Sequence, residues 1–230
     1  MYGASGTYMI GSFDGKKFTP EAGKYYYTSG SIYAAQTYTN IPENDGRRIQ
    51  IGWGRISHPE MPFNGMMLLP TELTLHTTKD GVRLFNNPVR ETEKLFTPVS
   101  KSSSLTSDQA DEKLKQYSDA DMLRIRTTFK LSHATSAGIR LYGQHIIDYD
   151  MNASTINGIF YSPDDMTSME LTADIFIDKN SIEVFIDGGA YSYSMERKAH
   201  DGNNDGFRFR GGNRIEIKNL EIFTVKSIWE

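Results

Sequence analysis

Short runs in which apolar and polar side chains alternate, separated by turn dipeptides, restrict this chain to an all-β fold. Leu123, Ile125, Thr127, Phe129 and Leu131 would share one face of a strand, with Arg124, Arg126, Thr128 and Lys130 on the other. Successive side chains of a strand point to opposite sides, so this spacing buries one face and wets the other. Leu171, Ala173, Ile175 and Ile177 repeat the pattern, as do Ile182, Val184 and Ile186 opposite Glu183 and Phe185. Ile215 and Ile217 start a further strand, and Leu220 and Ile222 continue it out of phase, which predicts a bulge at Asn219. Asp-Gly pairs stand at 14–15, 45–46, 80–81, 187–188, 201–202 and 205–206. They suit hairpin turns, because Gly accepts a positive φ and Asp tolerates one.

The one helical candidate runs from Ser107 to Tyr117, with Ser107 as cap and Ala110, Glu112, Lys113, Leu114 and Lys115 as good helix formers. It is short and polar, and reads as a surface turn of helix near a domain junction. The stretch Lys101-Ser102-Ser103-Ser104 before it reads as exposed loop. Two regions follow: residues 1–92, rich in Tyr and turn residues, and residues 93–230, which carry the regular strands of a two-sheet sandwich.

Composition removes several classes of function. The chain has no cysteine, so disulfides, thiolate catalysis and Cys-bound zinc are excluded. The net charge is −4 and no basic cluster could neutralise a row of phosphates, which argues against a nucleic-acid partner. The longest apolar runs, such as Met66-Met67-Leu68-Leu69-Pro70, are too short for a bilayer-spanning helix. The N-terminus has neither the basic flank nor the apolar core of a signal segment, so the compartment stays open. The five His residues (58, 76, 133, 145 and 200) have no ligand spacing, and no metal or cofactor is expected.

A set of segments, taken in order, carries a resemblance. Gly6 to Phe18 reads as a strand-turn unit. Tyr33-Ala34-Ala35-Gln36-Thr37 fits a Tyr-Ala-x-Gln-Thr strand, and Arg47-Arg48-Ile49-Gln50-Ile51-Gly52-Trp53 an Arg-Arg-x-x-x-Gly-Trp strand. Leu69-Pro70-Thr71-Glu72-Leu73 is similar to Leu-Pro-Arg-Glu-Leu, Pro88-Val89-Arg90-Glu91 to Pro-Val-x-Glu, and Asp178 to Gly189 to a Glu-Val-Phe hairpin. Together they resemble glycoside hydrolase family 32, which includes invertases, inulinases and levanases.

The resemblance implies a five-bladed β-propeller followed by a β-sandwich. Residues 1–92 would be the end of blade four and all of blade five, and residues 93–230 the C-terminal sandwich. It also implies cleavage of β-fructofuranosidic bonds with retention of configuration, by an Asp nucleophile, a Glu acid/base and a stabilising Asp. Two carboxyl groups close together suit that double displacement. The implied partner of the parent enzyme is a fructan or sucrose-type carbohydrate, and its implied location is secreted, periplasmic or in the cell envelope. The family's nucleophile motif has an Asn-Asp-Pro core, its stabiliser motif is Arg-Asp-Pro and its acid/base motif is Glu-Cys. None occurs in this sequence. No catalytic residue is therefore assigned, and the chain by itself is expected to be inactive.

By the same resemblance Trp53 and Tyr33 would line the sugar pocket; the alternatives are a core Trp and a packing Tyr. Ser31 closes Thr28-Ser29-Gly30-Ser31, where many members carry Asp-x-Gly-Lys or Asp-x-Gly-Asp. Hydroxyls would there replace charges that contact substrate. Thr71 stands where the family has Arg. An incomplete propeller exposes its edges, so residues 1–92 would self-associate through them or pack on the sandwich.

Other signals read as structure. Asp201, Asn203 and Asp205 resemble half a calcium loop, but Gly212 occupies the twelfth position, where Glu is needed. Asp164-Asp165 and the pair Asp148 and Asp150 could be offered as acid and base, yet they sit in loop-like or edge-like stretches. Tyr191 and Tyr193 alternate with Ser192 and Ser194, which suits either the aromatic face of a lectin-like sandwich or an ordinary edge strand. In a third reading the sandwich braces the propeller or makes a dimer contact.

Overall fold

The computed structural model of the protein describes residues 1, 3, 6–59, 61–131, 134–161, 169–200 and 206–225; His133, Asp164, Asp165, Asp201, Asn203 and Asp205 lie outside them. The chain opens with a hairpin, β1 (Thr7–Phe13) and β2 (Phe18–Tyr26). The predicted Asp14-Gly15 turn joins them, and the Asp14 carboxylate accepts the backbone N–H groups of Lys16 and Lys17 at 2.8 and 2.7 Å. A three-residue strand, β3 (Thr28–Gly30), follows. Next come β4 (Ile32–Thr37), β5 (Ile49–Gly54), β6 (Met66–Met67), β7 (Thr71–Thr78) and β8 (Gly81–Pro88). They form one sheet in the order β4-β5-β7-β8, with β6 also on β5. Asp80-Gly81 makes the last hairpin, with Gly81 at φ 97°.

A 3-10 turn over Arg90–Leu95 separates this sheet from the rest. Beyond it lie β9 (Phe96–Leu105), α1 (Ser107–Lys115), β10 (Leu123–Leu131), β11 (Ser136–Leu141), β12 (Gln144–Asp150), β13 (Thr155–Ile156) and β14 (Ile159–Phe160). The described chain ends with β15 (Glu170–Ile177), β16 (Ser181–Ile186), β17 (Tyr191–Glu196), β18 (Phe207–Arg210) and β19 (Ile215–Val225). One sheet runs β3-β17-β16-β15-β10-β19-β9 and the other β14-β13-β12-β11-β18. Ile125, Phe129, Ile175, Val184, Ile217 and Ile222 of the first pack on Ile139, Ile147 and Phe209 of the second. The alternating residues of β10, β15 and β16 thus build the sandwich core as their spacing predicts. The register of β19 slips opposite Thr128 and Phe129, between Asn219 and Ile217, at the predicted bulge.

Four local expectations change. Thr106, not Ser107, caps α1. Its hydroxyl accepts from the Gln109 backbone N–H, and the Gln109 side chain accepts from the Thr106 backbone N–H, which completes a capping box. The helix is also no surface turn, because Ala110 and Leu114 are fully buried in the sandwich core and the Asp111 carboxylate accepts the Phe209 N–H at 2.7 Å. Lys101 to Ser104 are not loop. They belong to β9, an edge strand that needs only backbone pairing with β19 and leaves Lys101, Ser103 and Ser104 exposed. Finally, Tyr191 and Tyr193 form no exposed aromatic face, being 2% and 4% exposed. They point into the sandwich, where the Tyr193 hydroxyl donates to the Ile146 carbonyl, while Ser192 and Ser194 face the first region.

Candidate functional site

The sheet of β4 and β5 presents an aromatic patch. Tyr33 and Trp53 are directly paired across the two strands, with ring centroids 6.5 Å apart and planes at 67°. Both are exposed, at 44% and 41%. Just past Tyr33 the register slips by one residue, and Ala34 has φ 47°. Such a bulge re-aims the neighbouring side chain. The Arg55 guanidinium lies 5.4 Å from the centre of the Tyr33 ring, within range of a cation–π contact. Met67, itself exposed, pairs with Trp53 from β6. Gly65, at φ 77°, lies against the indole, and any Cβ there would collide with Trp53 Nε1. Together these place two aromatic faces, a cation and a thioether on one surface, which suits stacking on a sugar ring better than proton transfer.

Ser31 stands between β3 and β4 and is held by its backbone. Its N–H donates to the Ser194 carbonyl at 2.8 Å, and its carbonyl accepts the Arg55 N–H at 2.9 Å. The three residues before it form β3, which pairs in parallel with β17 of the sandwich. Thr28 Oγ1 accepts from the Ser192 hydroxyl at 2.9 Å, and the Ser29 hydroxyl bonds the Tyr191 hydroxyl. The hydroxyls of Thr28 and Ser29 are thus committed to the seam between the two regions. Gly30 is required there: it has φ 82°, and a Cβ would run into the Ser194 carbonyl oxygen.

The seam continues on the outer face of β16 and β17. Glu183 accepts the Leu69 N–H through both carboxyl oxygens, at 3.1 and 3.2 Å. Burial pushes this carboxyl up to about 7; the Leu69 hydrogen bond opposes the shift and the negative charge of Asp178 adds to it. Asn86 Nδ2 donates to the Ser192 hydroxyl at 2.9 Å, the Tyr27 hydroxyl donates to Gln50 at 2.8 Å, and His58 meets Asn180 at 2.9 Å. Just before β5, Arg47 clamps Asp45 and Glu91. The Arg47 hydrogen bonds hold the Glu91 carboxyl down at about 2.

The two described carboxylates weighed as acid and base, Asp148 and Asp150, are each engaged in local contacts. Asp148 is bonded to Arg210 and lies 3.0 Å from His145 Nδ1, and Asp150 accepts the Ala153 N–H in a turn. Among the described residues no cluster of three His, Cys, Asp or Glu could hold a metal ion. Arg55, Met67 and Gly65 were not legible as parts of the patch.

Comparison with known proteins bears on this arrangement. Residues 2–88 match the sequence profile described as the glycosyl hydrolases family 32 N-terminal domain. Together with the relatives below, this match supports membership of glycoside hydrolase family 32. Over 99% of its length it is 26% identical to a levanase of Bacillus subtilis, of which it covers 38%. It is also 26% identical to an extracellular exo-inulinase of Aspergillus niger, over 98% of this chain and 49% of the relative. The crystal structure of an exo-inulinase from Aspergillus awamori superposes with a TM-score of 0.74 at 19% identity, over 97% of this chain and 50% of that one. The chain therefore spans half or less of these three relatives, and the structural likeness establishes the fold.

Proposed function

We propose that this chain is the C-terminal part of a retaining fructan- or sucrose-cleaving glycosidase and does not catalyse by itself. The family 32 profile match over residues 2–88 and similarity to levanase and exo-inulinase over nearly the whole chain support the parent reaction. The observation that carries the site is the exposed Tyr33–Trp53 pair on β4 and β5. In this reading residues 1–92 supply the last blade of the catalytic propeller, and Trp53 and Tyr33 support a furanose ring at its pocket. Ser31 anchors the corner through its backbone. The catalytic carboxylates come from elsewhere, because Asn-Asp-Pro, Arg-Asp-Pro and Glu-Cys are all missing from these 230 residues.

A second reading concerns residues 93–230 alone. The polar face of β16 and β17 is buried under the first region, and Tyr191 and Tyr193 point inward. Both facts favour a brace for the propeller over an independent sugar-binding module.

The test is reducing-sugar release by the purified chain from sucrose, inulin and levan. The expected result is none. Turnover that copurifies with the chain through several columns would refute the reading and require a carboxylate pair within these residues.

A further inference from the structure

Where the first sheet meets β16 and β17 there is a small cavity lined by Thr28, Gln50, Thr71, Asn86, Glu183 and Ser194, among others. About 20 Å³ of it is open to the centre of a water-sized sphere. One water needs about 10–15 Å³ by the same measure. Thr71 Oγ1, Asn86 Oδ1 and Ser194 Oγ, all in lining residues, have no hydrogen-bond partner among the described residues. These residues are 4%, 2% and 3% exposed, so bulk water does not serve them. The Glu183 carboxyl, on the same wall, receives only the Leu69 N–H among the bonds found. Buried polar atoms without partners are costly, and native proteins rarely leave several of them together.

The chemistry of these atoms is complementary to one small neutral molecule. Asn86 Oδ1 can only accept. The two hydroxyls can donate, and the carboxyl can accept through either oxygen. A water molecule supplies two protons and two lone pairs, which matches two acceptors and two donors. An anion would find no cationic side chain in the lining to balance its charge.

We propose that this cavity is a built site for one resident water, which bridges Asn86 and Thr71 of the first region to Glu183 and Ser194 of the sandwich. The seam between the two regions is then completed by solvent.

The test is a crystal structure of the 230-residue chain fine enough to show ordered solvent, with and without a rubidium chloride soak. The expected result is one peak within about 2.6–3.2 Å of at least three of the four side chains, carrying no rubidium anomalous signal. A cavity without density, or a rubidium peak marking a cation site, would overturn the proposal. The variant Thr71→Val/Ser194→Ala should lose the peak. A folded variant that keeps the peak in place would show that the hydroxyls do not hold it. Should the variant fail to fold, the density in the unaltered chain decides.

Discussion

Replacing Glu183 by Gln should remove a pH dependence of stability centred between mildly acid and neutral pH. Glu183 is buried between β16 and the first sheet, where one backbone N–H is its found donor and Asp178 is the charged group that acts on it. The strands packed against it contribute neutral groups: Gln50, Thr71 and Asn86 from the first sheet, Ser192 and Ser194 from β17. Burial therefore favours the protonated acid, with the carboxyl at about 7 against an ordinary 4.5. A raised folded-state value means that the folded protein binds the extra proton between those limits. Its contribution is fully present below about 4.5 and is lost as pH rises through about 7. At about 1.4 kcal/mol per unit, the loss is roughly 3 kcal/mol. Urea unfolding followed by circular dichroism at pH 5, 6, 7 and 8 would measure it. Asp111 and Asp187 are also raised by burial, so the informative quantity is the difference between the two proteins rather than either slope. The Gln variant should be nearly flat over that part of the range which Glu183 controls. Parallel slopes in both proteins would refute the argument.

Further outcomes follow from single contacts. Arg124, 1% exposed, donates to Asp174 and Glu93 and lies 4.5 and 4.6 Å from the Phe96 and Phe176 ring centres. Asp174→Asn strands part of that buried cation and should cost about 3 kcal/mol in chemical denaturation. Gly30→Ala puts a methyl into the Ser194 carbonyl at positive φ; it should destabilise by about 1–3 kcal/mol and speed amide exchange in β3 and the facing edge of β17. Thr106→Ala opens the capping box of α1 and should lower stability by about 1 kcal/mol, read from the denaturant midpoint.

The strands of the sandwich were legible because each carries its own period of two. β10, β15 and β16 needed no knowledge of their neighbours, and the slip at Asn219 shows directly as a phase change. What stayed hidden depends on partners distant in sequence. The alternation places Glu183 and Phe185 on the outer face, which is correct, but only the assembled molecule shows that another sheet covers that face. The same pattern gives Tyr191 and Tyr193 a common face without saying which way it points. Three residues of β3 are too few to show any period, so their parallel pairing with β17 has no local signature. Ser-rich β9 reads as loop because an edge strand can spend its backbone on one neighbour and leave its side chains polar. At the candidate site, Tyr33 and Trp53 are put forward by motif resemblance, and the structure shows them paired and exposed. Arg55 has no such signal, because its place beside Tyr33 comes from the course of the chain after β5.

The pairing of β3 with β17 bears on how such a protein can be rearranged over evolutionary time. The seven-stranded sheet of the sandwich takes its outermost strand from a segment more than sixty residues upstream of its own first strand. Cutting the gene between the two regions would leave β17 with an unpaired rim and turn Glu183, Ser192 and Ser194 out into solvent. The sandwich is thus a poor candidate for shuffling onto unrelated hosts, and the two regions are best inherited as one piece.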